Sequence, residues 1–139
     1  MSDKDLYVDT TREELIESLH LDYVIGAYEG DKLVDIATFI DARNTSRNLG
    51  KKFGGKPNEC YTFDAVFVHP EYRGLGLQRA FIELAKKQAV IDGASSIWTT
   101  VASANEHSYN NFTKLGFELY KKDVKMYGDH IRDVLILKI

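Results

Sequence analysis

The sequence is short of cysteine, of long apolar runs and of targeting signals, and each shortage excludes a class of protein. Its 139 residues contain one cysteine, so no disulfide forms within the chain and a disulfide scaffold is excluded. The longest apolar runs, such as residues 65–68, hold about four residues, whereas a membrane-spanning helix needs roughly 18. Residues 1–9 lack the basic and apolar regions of a secretory signal. These absences predict a cytoplasmic protein without a membrane partner.

An excess of positive charge is also missing. The chain has 18 Lys and Arg against 21 Asp and Glu, so its formal net charge is -3. A protein that grips a nucleic-acid backbone over a broad face needs a basic surface. No nucleic-acid partner is therefore expected. The four histidines and the single cysteine show no metal-ligand spacing, so no metal is expected either.

What remains is the composition of an ordinary soluble domain. Hydrophobic residues make up 44% and charged residues 28%, a balance that excludes collagen-like and disordered chains. A chain of 139 residues is too short for two good cores. We therefore expect one domain over residues 1–139.

Hydrophobic periodicity and turn residues predict an α/β or α+β domain with a mixed sheet. Residues 41–60 are polar and glycine-bearing, and they form either a loop that borders a substrate site or a solvated insertion. The predicted elements are a helix over 11–20, strands over 23–28, 33–40 and 61–68, a helix over 77–91, a strand over 96–101, a helix over 105–115, and a closing hairpin over 117–127 and 131–139.

The most informative stretch joins the strand that ends at Val68 to the helix that begins at Leu77. Its two glycines allow a ligand to approach the backbone, and the first amides of a helix attract anions. The turn is thus a candidate pyrophosphate cradle, although many such turns only connect elements. No Gly-Lys-Ser/Thr follows, and Arg79 stands where a dinucleotide fingerprint has its third glycine.

Two motifs in this chain resemble those of the GNAT family of N-acetyltransferases. The family's acetyl-CoA motif, Val-x-Pro-x-x-Arg-Gly-x-Gly-x-Gly/Ala, is matched by Val68, Pro70, Arg73, Gly74 and Gly76. The second motif pairs an asparagine with Lys-Leu-Gly-Phe, matched by Asn105 and residues 114–117. The resemblance covers about residues 12–139. It departs at Gln78, where the family has glycine or alanine, although Gly-Leu-Gln-Arg is similar to a subset of bacterial members.

The resemblance implies a mixed, mostly antiparallel twisted sheet flanked by helices. Only about 20 residues precede the first hairpin, so the usual first strand and first helix are expected to be missing. The strand over 23–28 would then be an exposed edge, which favours a homodimer.

The resemblance also implies acetyl-CoA as cosubstrate. The backbone of Val66 and Val68 would pair with the pantetheine arm, in a slot left where the strand starting near Ser96 splays away. Asn105 would bind the pantetheine near its reacting end. Arg73 and Arg79 would add charge at the phosphates. The amides that would hold the pyrophosphate belong to Gly74, Leu75, Gly76, Leu77, Gln78 and Arg79.

The implied reaction is direct transfer of the acetyl group to a primary amine of a small molecule or peptide. Asp64 matches the family's base position, and a two-residue period places it on one face with Val66 and Val68. The Val66 amide is the candidate oxyanion donor. Asp64 can equally be only a paired strand carboxylate, so both interpretations stay open.

The family's usual proton-donating tyrosine is replaced by Phe112. Tyr109, one helical turn earlier, is the candidate substitute, and its alternative role is packing. The missing tyrosine and short N-terminus keep a second function open, a non-catalytic acyl-CoA-binding module that serves as a sensor or subunit. The acceptor amine is not identified by the sequence.

Overall fold

The computed structural model describes residues 23–40, 48–68, 77–126, 128 and 130–139. The predicted helix over 11–20 lies outside these residues, as does the region in which a first strand and helix would precede the hairpin. The described elements are β1 (Tyr23–Glu29), β2 (Lys32–Ile40), α1 (Leu49–Lys52), a 3₁₀ turn (Pro57–Glu59), β3 (Cys60–Val68), α2 (Leu77–Ile91), β4 (Ser96–Val101), α3 (Glu106–Lys114), β5 (Glu118–Met126) and β6 (His130–Lys138).

The six described strands form one sheet in the order β1-β2-β3-β4-β6-β5. Four neighbouring pairs are antiparallel, and β3 with β4 is parallel. A parallel pair needs a crossover, which here is α2, whereas hairpins join β1 to β2 and β5 to β6. The prediction of a mixed, mostly antiparallel sheet is confirmed.

Apolar side chains pack on both faces of this sheet. Along β4, Ile97 and Val101 belong to the core under α2 and α3, while Trp98 belongs to a second core with α1. Successive residues of a strand point to opposite faces, so one strand serves both cores. Glycine after a helix in the sequence predicts its end, and this holds for both helices, since Gly93 after α2 and Gly116 after α3 have left-handed φ of 75° and 102°.

The predicted apolar face of α2 is wrong in part, although its bounds are correct. The spacing of Leu77, Phe81, Leu84, Gln88 and Ile91 in the sequence predicts one buried stripe, but Leu84 and Ile91 are 48% and 75% exposed. The inward stripe combines Phe81 and Ile82 with two alanines, whose small side chains let the helix approach the sheet closely. Among the α2 side chains that the structure describes, the buried ones are Phe81, Ile82, Ala85 and Ala89.

The prediction of a continuous loop over residues 41–60 is corrected by α1 and the 3₁₀ turn. Asn48 caps α1 by accepting a hydrogen bond from the Lys51 amide, and its side-chain amide donates to the Cys60 carbonyl over 2.9 Å. The Leu49 amide donates to the Thr62 hydroxyl at 3.0 Å. Residues 48–50 are buried. This part of the segment is therefore fixed to β3 rather than solvated, and residues 41–47 lie outside the described residues.

Candidate functional site

The parallel strands β3 and β4 form a fork. The two strands pair only at their N-terminal ends, through Cys60–Ser96, Tyr61–Ile97 and Thr62–Trp98. The next contact is made by a side chain, since the Thr99 hydroxyl donates to the Phe63 carbonyl at 3.0 Å. Beyond this contact the described strands form no further backbone pairs. The edge of β3 that faces β4 is therefore unpaired over residues 64–68. The predicted splay of the strand that starts at Ser96 is confirmed.

A β-bulge lies on β3 beside this open edge. Ala65 pairs with Ala37 of β2 and Phe67 pairs with Ile36, so Val66 is the extra residue between them. A bulge leaves one residue out of the ladder and re-aims the backbone around it. The candidate oxyanion donor is therefore the one residue in this stretch of β3 that has no counterpart on β2.

The same bulge contradicts the prediction that a two-residue period places Asp64 on one face with Val66 and Val68. Asp64 pairs with Thr38 and Val68 pairs with Asp35, positions that are an odd number of residues apart on β2. Successive residues of a regular strand alternate between the two faces of the sheet. One extra residue between Asp64 and Val68 interrupts this alternation. The prediction of one shared face from a two-residue period is therefore wrong. The role of Asp64 as a base stays a prediction that rests on the resemblance.

The candidate pyrophosphate cradle is described at its two ends. Arg73, Gly74, Leu75 and Gly76 lie outside the described residues, whereas β3 ends at Val68 and α2 begins at Leu77. The first amides of a helix have no acceptor within it, so the start of this 15-residue helix presents donors and the positive end of its dipole. Arg79 is exposed in this first turn.

The Gln78 side chain joins α2 to α3. Its Nε2 donates to Ser108 Oγ at 3.0 Å, and its Oε1 accepts from Asn111 Nδ2 at 2.9 Å. Ser108 and Asn111 are both buried, so these bonds satisfy polar groups that lack water. The departure from glycine at Gln78 therefore serves helix packing.

Gln78→Ala is expected to lower the free energy of unfolding by about 1–2 kcal/mol, because it leaves buried polar groups on Ser108 and Asn111 without a partner. Acetyl-CoA affinity should change by less than about twofold, since the predicted contact uses the backbone amide. Denaturant unfolding and calorimetric titration measure the two effects. Arg79→Ala, exposed in the same turn, is the control and should leave stability within about 0.5 kcal/mol. A loss of acetyl-CoA affinity of about tenfold in Gln78→Ala would contradict this assignment.

The second motif combines a helix cap with a core residue. Asn105 caps α3, and its Oδ1 accepts a hydrogen bond from the Ser108 amide at 3.3 Å. This cap uses only the oxygen, so the side-chain amide keeps its donors for the predicted pantetheine contact. Phe112 is 2% exposed, with edge contacts to Phe63 and Phe117 at centroid distances of 5.7 and 5.1 Å. At the usual tyrosine position the chain thus has a packing residue.

Tyr109 lines a cleft on the other side of α3 from Ser108 and Asn111. The cleft has a volume of about 370 Å³. Burial raises the pKa of the Tyr109 hydroxyl, and the negative charge of Asp133 acts in the same direction. The role of Tyr109 as a proton donor stays a prediction. We call this the Asp133 cleft, and its lining residues are Ser103, Glu106, Tyr109, Asn110, Leu119, Lys122 and Asp133.

Reasoning from the sequence missed the two buried charged residues of β6. Arg132 and Asp133 are 5% and 2% exposed. A signal was available, because the two charges stand together between Ile131 and Val134 in an otherwise apolar strand. Their part of the chain was predicted only as one arm of a closing hairpin.

The described residues contain neither a membrane span nor a metal cluster. No described helix is long and apolar enough to cross a membrane. Within the same residues, no three His, Cys, Asp or Glu side chains are grouped so that they could hold a metal ion.

Solved structures from several bacteria share this architecture. The Salmonella typhimurium protein yncA with its cofactor acetyl-CoA has a TM-score of 0.68 and 19% identity, over 91% of this chain and 69% of that one. A Bacillus subtilis acetyltransferase in complex with CoA has a TM-score of 0.67 and 17% identity, over 100% and 93%. An Elizabethkingia anophelis GNAT acetyltransferase with acetyl-CoA bound has a TM-score of 0.66 and 10% identity, over 100% and 92%. At such identities the likeness establishes the fold.

The family follows from a comparison of sequence. The model of the Acetyltransferase (GNAT) family matches residues 2–117, which include the glycine turn, the fork and the asparagine-capped helix. Together with the shared fold, this match shows that the chain belongs to the GNAT family of acetyltransferases.

Proposed function

We propose that this protein transfers the acetyl group of acetyl-CoA to a primary amine of a small molecule or peptide by direct attack. The observation that carries the proposal is the fork between β3 and β4, with its bulge at Val66. An open parallel strand edge beside a helix start can accept an extended arm and an anionic group together. The three bacterial structures with the same fold, described above, are complexes with acetyl-CoA or CoA.

The proposed binding roles are those that the family resemblance implies. The backbone of Val66 and Val68 would pair with the pantetheine arm, and Asn105 would donate to it from the start of α3. Arg73 and Arg79 would meet the phosphates with positive charge. The pyrophosphate would be held by the amides of Gly74, Leu75, Gly76, Leu77, Gln78 and Arg79.

The chemistry needs a neutral amine, because a protonated amine has no lone pair. Asp64 would accept the amine proton, through a water molecule, as nitrogen forms its bond to the thioester carbon. The Val66 amide would stabilise the negative charge that develops on the thioester oxygen. The carbon–sulfur bond then breaks, and the thiolate takes up a proton, from solvent or from Tyr109. Holding both reactants in the fork supplies much of the remaining acceleration.

A second candidate function is binding of an acyl-CoA without turnover. The buried Phe112 favours it, since this residue cannot donate a proton to a departing thiolate. Against it, a thiolate is a good leaving group that needs little acid assistance. A single domain over residues 1–139, a homodimer and a cytoplasmic location stay predictions from the sequence.

Thermal melting with acetyl-CoA, compared with adenosine diphosphate, tests binding. At about 100 times its dissociation constant, acetyl-CoA should add roughly 2.7 kcal/mol to the free energy of unfolding. Thiol release with a panel of primary amines then tests turnover, and mass spectrometry of the product locates the acetyl group. Absence of stabilisation by acetyl-CoA contradicts both functions, whereas stabilisation without turnover on any amine supports the binding module.

A further inference from the structure

The Asp133 cleft is separated from the fork by β4. Asp133 pairs with Val101 on the edge of β4 that faces away from β3. On α3, Glu106 and Tyr109 line the cleft, whereas Ser108 faces Gln78 of α2. The cleft is therefore a second concave site, and Tyr109, the alternative proton donor, is the one lining residue to which the proposed acetyl transfer gives a role.

The feature that points to a ligand is the carboxylate of Asp133. This residue lines the cleft although it is only 2% exposed. Its Oδ1 accepts a hydrogen bond from the Asp123 amide at 3.0 Å. Among the described residues, none donates to Oδ2 and no cation forms an ion pair with this side chain. A buried carboxylate is costly unless it is paired, so the site lacks one cationic partner.

A register shift in β5 positions the backbone amide that hydrogen-bonds to this carboxylate. Between the pairs Lys121–Val134 and Val124–Arg132, β5 has two residues where β6 has one. One of the two is Asp123, whose φ of 55 lies in the left-handed region that non-glycine residues rarely adopt. This conformation directs the Asp123 amide at Asp133, so local backbone strain is tied to one hydrogen bond to the carboxylate.

The other lining groups are suited to an organic cation. Glu106 contributes a second carboxylate, and Tyr109 contributes an aromatic ring and a hydroxyl. Ser103 and Asn110 add neutral polar groups. Lys122 is the one positive charge among the lining residues, and it is exposed, so it stands at the rim. The volume of about 370 Å³ is at the small end of ligand pockets.

We propose that the Asp133 cleft binds the ammonium group of a small polar amine, with Asp133 Oδ2 as the main acceptor and Glu106 as a second negative charge. The bound ammonium supplies the partner that the buried carboxylate lacks. Tyr109 contacts the ligand from α3. Lys122 weakens binding by repulsion, since it carries the same sign of charge as the ligand.

Titration of the protein, without acetyl-CoA, with ethanolamine at pH 7 tests this proposal by backbone amide NMR. We expect saturable shifts at Asp123 and over residues 106–110. The neutral analogue ethylene glycol should produce no saturable shift. Asp133→Asn keeps the oxygen that Asp123 needs but removes the charge, and it should weaken binding by about tenfold or more. Lys122→Gln should tighten binding by about two- to fivefold.

Two further variants keep the test decisive. Glu106→Gln, on an exposed turn of α3, should weaken binding by about two- to threefold even if Asp133→Asn fails to fold. Glu118→Gln, an exposed acid of β5 outside the cleft, should leave binding unchanged. The proposal is overturned if ethanolamine shifts only amides of β3, if ethylene glycol binds equally well, or if Asp133→Asn and Glu106→Gln bind as the native protein does. None of these results depends on acetyl transfer.

Discussion

Replacing Asp64 with asparagine is expected to lower kcat/KM for acetyl transfer by about 100-fold or more, the range that a lost general base costs. Asparagine has nearly the same shape as aspartate but cannot accept the amine proton. Asp64 lies on β3 two residues before the bulge, and its backbone pairs with Thr38. The dissociation constant for acetyl-CoA should change by less than about twofold, because the predicted contacts use other groups. Thiol release under saturating acetyl-CoA measures the effect.

A pH profile distinguishes a base from a merely structural carboxylate. In the Asp64→Asn protein only amine that is already neutral in solution can react, and that fraction rises about tenfold per pH unit below the amine pKa. The deficit relative to the native enzyme should therefore shrink as pH rises. Asp31→Asn, in the exposed turn between β1 and β2, is the matched control and should retain full activity. Full activity in Asp64→Asn, or a deficit that is constant with pH, would show that the base lies elsewhere.

Gly50→Ala is expected to lower the free energy of unfolding by about 3 kcal/mol through overpacking. A Cβ at this position in α1 would overlap the Cβ of Cys60 and would lie 2.6 Å from its Sγ and 2.9 Å from Trp98 Nε1. The Cys60 Cβ is attached to β3 and cannot rotate away. Trp98 is itself confined, since it stacks on Phe53 with ring centroids 5.8 Å apart. Chemical denaturation at equilibrium measures the change.

Gly30→Ala is the control for the effect of losing a glycine. Gly30 has φ of +59, and an added Cβ there would have no other atom within 4 Å, so only backbone strain of about 1–2 kcal/mol is expected. A double variant, Gly50→Ala with Cys60→Gly, removes the closest clashing atoms and should recover part of the loss. If Gly50→Ala destabilises no more than Gly30→Ala, then α1 moves freely against β3 and the second core is less rigid than its contacts indicate.

Local sequence patterns predicted the helices and strands well where hydrophobic periodicity or a turn residue gave a clear signal. The bounds of α2 and β4 are those expected from periodicity and from the turn at Gly93. The two motifs are local as well, because each lies in a short run of the sequence, one at the glycine turn and the other between Asn105 and Phe117. The short α1 was missed, since four residues of helix have no period to detect and depend on the cap at Asn48 and the contact with Thr62.

The candidate site was only partly predictable. The splay of β4 from β3 followed from the family resemblance, and pairing that stops at Thr62 and Trp98 confirms it. The bulge was not predictable, because Val66 stands in an apolar run that fits a regular strand equally well. One unpaired residue there was enough to break the argument that Asp64 and Val68 share a face.

The amino-acid order by itself determined the strand and helix types, because propensity, capping and glycine turns act between neighbouring residues. The family and the kind of ligand to expect came from the resemblance of two short motifs. Tertiary structure alone decided that Gln78 bonds to α3, that Val66 stands outside the ladder, and that Asp133 and Tyr109 share a cleft. These features join residues that are distant in the chain or depend on the register of a partner strand. Such contacts form only when whole elements pack, so no local pattern can encode them.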